Sequence, residues 1–163
     1  MSFSSQIKEI LCKTQYECPA CRLAELAGFF ACAGKNSCDE VRFSMSNKAL
    51  SERILNSLES ELGIVAEYDR RRIVIGGNNY RKLYDEISGD VVIYECCKIA
   101  YIRGAFLGGG SVNAPDKKYH IEFSAKTDAD AKTLSEILEE FDFKPKITHR
   151  KGKTVVYIKE RAQ

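Results

Sequence analysis

The sequence predicts an α+β fold built as two pseudo-symmetric α-β-β-α-β-β-α halves that meet along a pair of equivalent helices. Two observations carry this. Cys21-Arg-Leu-Ala-Glu-Leu-Ala-Gly-Phe-Phe-Ala-Cys-Ala-Gly34 aligns without a gap on Cys97-Lys-Ile-Ala-Tyr-Ile-Arg-Gly-Ala-Phe-Leu-Gly-Gly-Gly110, at a constant offset of 76 residues. Farther on, Val41-Arg-Phe-Ser echoes Ile121-Glu-Phe-Ser, and Leu58-Glu echoes Leu138-Glu, at an offset of 80. A helix-length segment repeated with its terminal glycine, followed by the same order of elements, marks an internal duplication about a pseudo-twofold axis. The four extra residues fall around Ala114-Pro-Asp-Lys and lengthen one hairpin loop.

The elements follow in order. An N-terminal arm (residues 1–15) carries a short helix, Gln6–Lys13, capped by Ser4 or Ser5 and apolar at Ile7, Ile10 and Leu11. The first half (16–90) opens on the duplicated helix, Cys18–Ala33, with Pro19 in its first turn and Gly34 as its stop. A hairpin with its main strand at Val41–Ser46 leads into an amphipathic helix, Asn47–Leu62, that bears Leu50, Ile54, Leu55 and Leu58 and ends at Gly63. Strands Ile64–Tyr68 and Arg72–Ile75 flank Asp69-Arg-Arg, and a helix Asn79–Ile87 follows. The second half (91–163) restarts with a helix Val92–Leu107, then strands at Ser111–Val112 and Tyr119–Lys126 and a helix Asp128–Phe141. Strands Lys144–His149 and Thr154–Lys159 close it around Lys151-Gly-Lys.

Size and composition bound the function. With 163 residues, 44% hydrophobic and 29% charged, the chain is long enough for a well-buried core. No apolar run approaches the roughly 20 residues that span a bilayer. Met1-Ser-Phe-Ser-Ser lacks the basic and apolar regions of a leader, so a cytoplasmic, nucleoid-associated protein with no membrane partner is expected. Seven cysteines, odd in number and with Cys96 and Cys97 adjacent, argue for reduced thiols rather than a disulfide framework. The net charge of +2 is weak, so any nucleic-acid affinity must come from local patterning.

Small residues recur every fourth position in both copies of the repeated helix, at Ala24, Gly28 and Cys32 and at Ala100, Gly104 and Gly108. They form one helical face on which two backbones can approach closely. On these residues Leu26-Ala-Gly-Phe-Phe-Ala-Cys-Ala-Gly34 and Ile102-Arg-Gly-Ala-Phe-Leu-Gly-Gly-Gly110 resemble the LAGLIDADG motifs of homing endonucleases. The resemblance implies that the two motif helices form the interface and that two curved antiparallel sheets make a saddle over DNA. It also implies an acid just before each final glycine to hold a divalent metal. Here Ala33 and Gly109 stand at those positions, and neither offers an oxygen ligand. No cofactor, metal or enzymatic activity is therefore expected. A closer likeness runs through Ser2-Phe-Ser-Ser, Cys21-Arg-Leu-Ala-Glu-Leu, Tyr101-Ile-Arg-Gly-Ala-Phe-Leu-Gly-Gly-Gly-Ser-Val-Asn113 and Ile147-Thr-His-Arg-Lys-Gly-Lys-Thr-Val-Val-Tyr-Ile-Lys-Glu160. These segments resemble the N-terminal domain of the bacterial WhiA family of transcriptional regulators, linked to sporulation and cell division. In that family a helix-turn-helix domain follows. Only Arg-Ala-Gln follows Glu160, so a fragment without that domain is expected.

Candidate DNA contacts come from alternation and from hairpin tips. Val41, Phe43 and Met45 alternate with Arg42, Ser44 and Ser46, and Tyr119, Ile121 and Phe123 alternate with His120, Glu122 and Ser124. The resemblance turns the polar face to the saddle, which nominates Arg42, Ser44 and His120, with Lys117 and Lys118 in the adjoining loop. The tips add Arg70, Arg71 and Arg72 in one half and Arg150, Lys151 and Lys153 in the other, a pairing suited to straddling phosphates. Glu67, Asp69 and Glu122 oppose such binding. Cys18-Pro-Ala-Cys21 is a lone CxxC, and zinc needs a second pair; Cys12, Cys38 or Cys96-Cys97 could approach it, but the equivalence of Cys21 and Cys97 points to matching core positions. Three functions are weighed: a non-catalytic module that contacts double-stranded DNA weakly or positions a helix-turn-helix domain, which leads; a regulatory domain that binds a protein partner without touching DNA; and an active endonuclease, which would require Asp39, Glu40 or Asp116 to replace the motif acids from outside the helices. With its motif helices already paired internally, the chain is expected to be a monomer.

Overall fold

A computed structural model describes residues 2–45, 47–113, 116 and 118–159, with the backbone alone for residues 67–69. The arm forms α1 (Phe3–Leu11), which starts earlier than its apolar spacing predicts. Ser2, not Ser4 or Ser5, is the cap, its hydroxyl accepting from the Ser5 amide at 3.1 Å. Ser4 is used elsewhere: its hydroxyl donates to the Val112 carbonyl at 3.0 Å and accepts from the Val112 amide at 2.9 Å. The arm is thereby pinned to the second half.

The first half comprises α2 (Cys21–Cys32), β1 (Lys35–Asn36), β2 (Glu40–Ser44), α3 (Lys48–Leu62), β3 (Glu67–Asp69), β4 (Arg72–Gly76) and α4 (Gly77–Ile87). The second comprises α5 (Glu95–Gly109), β5 (Gly110–Val112), β6 (His120–Ala125), α6 (Asp128–Glu139), β7 (Lys146–Arg150) and β8 (Lys153–Lys159). Within the described residues it ends on β8, one helix short of the first. Each half holds a four-stranded antiparallel sheet of the same order, β1-β2-β4-β3 and β5-β6-β8-β7. The register recurs too: Lys35 pairs with Arg42 and Ser111 with Glu122, at the offsets of 76 and 80 seen in the sequence.

Several helix ends differ from expectation for local reasons. Helix α2 begins at Cys21 because Cys18 to Ala20 form a turn, closed by the Cys21 amide on the Cys18 carbonyl at 3.1 Å. Helix α5 begins at Glu95, after the extended Tyr94, and runs through Gly108 and Gly109 rather than stopping at Leu107. Asn47 and Thr127 cap α3 and α6 by accepting from the Leu50 and Asp130 amides, and Gly63 closes α3 at φ +65°.

The motif helices touch backbone to backbone. A Cβ on Gly28 would overlap the Tyr101 carbonyl, and one on Gly104 would overlap the Glu25 carbonyl. The two clashes are images of each other across the pseudo-twofold axis. One Cβ on Gly108 would lie 2.5 Å from the Phe29 carbonyl, which explains why glycine persists inside the last turn of α5. Outward from this seam the helices pack on separate cores. Leu26, Phe29 and Phe30 meet Val41, Phe43, Ile54, Leu58 and Ile75 in the first half, and Tyr101, Ala105 and Phe106 meet Phe123, Leu134, Leu138 and Val156 in the second.

One charged group lies within the seam. Glu25 is 1% exposed and accepts from Arg53 of α3 at 2.6 and 3.0 Å, from Arg103 of α5 at 2.5 Å and from the Tyr16 hydroxyl at 3.0 Å. Arg53 also donates to the Cys12 and Thr14 carbonyls. Burial opposes the charge on Arg53, but its bonds to Glu25 outweigh this and raise its pKa further. Both halves and the segment after α1 are thus held by one carboxylate.

The seam makes a direct prediction. Gly28→Ala forces α2 and α5 apart and is expected to cost about 1–3 kcal/mol of unfolding free energy in urea, the usual scale of overpacking. Gly89→Ala, whose Cβ would meet only the Glu86 carbonyl at 3.6 Å, is expected to change it by less than about 0.5 kcal/mol. Equal losses in the two variants would contradict the backbone-contact account.

Candidate nucleic-acid interface

A groove of about 2090 Å³ runs between the two sheets and over the C-terminal ends of α2 and α5. Its floor includes Cys32, Gly108 and Gly109. Lys35, Arg42 and Arg72 line it from the first half, and Lys126, Lys151 and Lys153 from the second. Among the described residues that line it, Asp130 is the single acid. Six cations against one carboxylate make a local field that the near-neutral total charge conceals.

The alternation along the strands holds. On β2, Val41 and Phe43 are buried while Arg42 and Ser44 are exposed and line the groove. The hairpin tips are two-residue turns in which Arg70 and Lys151 adopt left-handed backbone at φ +59° and +51°. Arg72 and Lys153 open the returning strands at matching places, paired with Asp69 and Arg150. Both strand-opening residues face the groove, and so does Lys151. Arg70, Arg71 and Lys118 are exposed but outside the groove lining, and Lys117 lies outside the described residues.

Two nominated residues are otherwise engaged. His120 stacks on Tyr157, with ring centroids 5.8 Å apart, and its Nε2 lies 2.6 Å from Glu122. Arg150 lies 2.6 Å from the same carboxylate. Burial raises the Glu122 pKa, but its hydrogen bonds from Arg150 and His120 prevail and hold it below the usual carboxylate range. The second sheet therefore neutralises charge where the first displays Arg42, the residue at the equivalent place. Arg42 has its own ion pair with Glu40 at 2.9 Å, yet its side chain is 70% exposed.

Lys35 and Lys126 were not nominated from the sequence. Lys126 continues the alternation His120, Glu122, Ser124 by one more step, a signal that was available. It joins the halves: its amide donates to the Ala31 carbonyl at 2.9 Å, at the end of α2, and its amine donates to Asn36 Oδ1 at 2.7 Å and the Tyr84 hydroxyl at 3.0 Å. Burial brings the amine down to about pH 8, only partly offset by the charges of Asp130 and Cys32.

At the other end of the helix pair the structure corrects the reading of Cys18-Pro-Ala-Cys21 as a lone pair. The pseudo-twofold axis sets the starts of α2 and α5 side by side, and the second pair is Cys96 and Cys97. All four sulfurs lie within 4.8 Å of one another. Cys18 Sγ is 3.5 Å from Cys21, 3.6 Å from Cys96 and 3.8 Å from Cys97. Cys21 and Cys97 do occupy matching buried positions, as their repeat implies, beside Ala24 and Ala100. Desolvation opposes ionisation of Cys18, but hydrogen bonds from Cys21, Cys96 and the Ala20 amide outweigh it and bring its pKa to about 7. Cys96 is pushed up to about 12, chiefly by hydrogen bonding to Cys21 and Cys18.

Two α-β halves joined on glycine-bearing helices, with matching sheets on either side, define a protein of the LAGLIDADG class. The fold is that of the crystal structure of the N-terminal LAGLIDADG domain of DUF199/WhiA, with a TM-score of 0.80 over 98% of this chain and 84% of that one at 21% identity. It is also that of I-DmoI in complex with DNA and manganese, with a TM-score of 0.61 over 85% and 89% of the two chains at 18% identity. Residues 98–163 match the WhiA LAGLIDADG-like domain. The probable cell division protein WhiA of Alkaliphilus metalliredigens is 32% identical over all of this chain and 62% of its own length. The chain carries a LAGLIDADG-like domain similar to that of the WhiA proteins, and it spans 60–62% of the length of the curated relatives it matches. Among the described residues no helix is long and apolar enough to cross a membrane.

The half-buried amine of Lys126 sets a pH dependence. Between about pH 8 and its ordinary value of 10.5, Lys126 is less protonated in the folded chain than in the unfolded one. Stability must therefore rise with pH through that window. Unfolding free energies of wild type and Lys126→Met, measured from pH 7 to 11, are expected to differ by an amount that shifts in favour of wild type as pH rises. Parallel profiles would count against a depressed Lys126.

Proposed function

We propose that the groove binds double-stranded DNA through its phosphates and does not cleave it, so that this part of a WhiA-family transcriptional regulator holds or positions DNA beside a helix-turn-helix domain. The observation that carries this is the charge of the groove: Lys35, Arg42, Arg72, Lys126, Lys151 and Lys153 against Asp130. Lysines and arginines spread over two matching sheets suit sequence-independent backbone contact. The I-DmoI fold neighbour, solved in complex with DNA and manganese, lends support by analogy of fold.

The residues at the helix ends do not fit a catalytic cation. Ala33 is a buried C-cap with no oxygen on its side chain, and Gly109 has no side chain at all. Asp130 accepts from Thr127 Oγ1 at 2.9 Å and its pKa is raised, first of all by burial. A lone carboxylate already committed to a helix cap is a poor ligand set for a hard divalent ion.

A second reading, a regulatory or partner-binding domain without DNA contact, draws on the second sheet, where Glu122 spends its charge on His120 and Arg150. Salt titration separates the two. Fluorescence anisotropy with a labelled duplex is expected to give weak binding whose log–log salt slope falls by roughly 0.9 for each phosphate contact removed. Arg72→Ala with Lys153→Ala is expected to lower that slope by about twice this amount, while Arg70→Ala changes it less. Binding that ignores salt, or no binding at low salt, would favour the partner reading, and nicking of supercoiled plasmid in magnesium would overturn the non-catalytic assignment.

A further inference from the structure

We propose that Cys18, Cys21, Cys96 and Cys97 form a tetrathiolate site for a single zinc ion that fastens the two halves together at the helix starts. Tetrahedral zinc with Zn–S bonds of about 2.3 Å sets its sulfurs about 3.8 Å apart. The three distances around Cys18 lie between 3.5 and 3.8 Å, and no pair of the four exceeds 4.8 Å. Closing on an ion needs shifts of an ångström or less.

The composition of the set argues for an ion rather than for packing. The duplication accounts for Cys21 and Cys97, which would fill matching core positions by themselves. It does not account for Cys18 or Cys96, whose counterparts at the 76-residue offset are Tyr94 and Ala20. Two thiols that stand outside the repeat, one from each half, converge on the symmetric pair. They are the less buried members, which leaves a path for the ion.

The surroundings suit anionic sulfur. Neither α2 nor α5 has a side-chain cap at its start, where Ala20 and Tyr94 stand. Thiolates there meet the positive ends of both helix dipoles. Tyr16, Ala20 and Val92 cover the cluster with apolar surface.

Rival uses of four thiols fit less well. One disulfide would leave two thiols idle, and all four sulfurs are unbonded here. A polynuclear iron–sulfur cluster holds its cysteines farther apart than a mononuclear ion does, so the compactness of this set favours the single ion. Zinc is also the usual occupant of closed tetrathiolate sites.

Cobalt reports on the site directly. Protein purified without oxygen, stripped of metal and titrated with Co²⁺ is expected to bind one equivalent, with tetrahedral ligand-field bands and a thiolate-to-cobalt charge-transfer band scaled to four sulfurs. Zinc is expected to displace the cobalt and to raise the melting temperature of the stripped protein. Cys18→Ser, at a partly exposed position, is expected to lose about a quarter of the charge-transfer intensity. It should also weaken binding by more than the ~10–100-fold typical of outer ligand partners. Cys38→Ser, outside the cluster, is expected to change neither. The assignment is overturned if wild type shows no stoichiometric cobalt band, if Cys18→Ser and Cys96→Ser both bind as wild type does, or if the protein as purified carries iron and sulfide. A mapped disulfide within the set in zinc-replete protein would overturn it as well.

Discussion

The structure depends on the contact of two peptide backbones. Where α2 crosses α5, Gly28 lies against the Tyr101 carbonyl and Gly104 against the Glu25 carbonyl, at distances no Cβ could share. This closeness has consequences in both directions. Outward, it frees the bulky neighbours Leu26, Phe29, Phe30 and Phe106 to face two separate cores. Along the axis, it leaves no room to slide, so the sheets that follow each helix are set at fixed places about the pseudo-twofold. The groove is the space between them.

The seam is not symmetric throughout, and the departures are informative. Glu25 and Tyr101 are equivalent by the repeat, yet one is an ion with two arginine partners and the other a buried phenol. Breaking such a buried set by removing one member typically costs several kcal/mol, whereas an apolar replacement of the whole set can be neutral. Its effect is therefore better described as specific than as stabilising. Arg53 draws α3 and the chain after α1 to the same carboxylate as Arg103, so the first half, the second half and the arm share one registration point.

Much of this was legible in the sequence because the repeat is a one-dimensional record of the symmetry. Element order, strand alternation at Arg42 and Ser44, and the glycine stripe could all be read without coordinates. What could not be read depends on which positions the axis brings together. Cys18 and Cys96 are 78 residues apart and bear no repeat relation to each other, so only the packing of the helix starts reveals them as neighbours. Nothing in the sequence marks Glu25 as buried, because its partners come from three other segments. His120 was nominated by strand alternation and Arg150 by its place at a hairpin tip, and neither signal tells which residues pair with Glu122. Lys126 was the reverse case, a residue that alternation would have found had the strand been followed one step further.

The polarity of the helix pair ties the two ends of the molecule together. Both motif helices start at the cysteines and end at the groove, so their dipoles add rather than cancel, with partial positive charge at the thiols and partial negative charge beneath the groove. For a polyanion the groove floor is by itself the wrong end of a helix. The cations of the lining must first offset it. Lys126 does so at closest range, bonding the end of α2 through its amide and leaning its amine across to Asn36 and Tyr84 of the other half. Burial lowers the pKa of that amine, with Asp130 offsetting the shift only in part. A scaffold that replaces acids with neutral residues at that point loses a place for a divalent ion and lowers the repulsion that a phosphate backbone would meet. The two parts of the proposed function, contact with DNA and no cleavage of it, are thus compatible at the same two positions, Ala33 and Gly109.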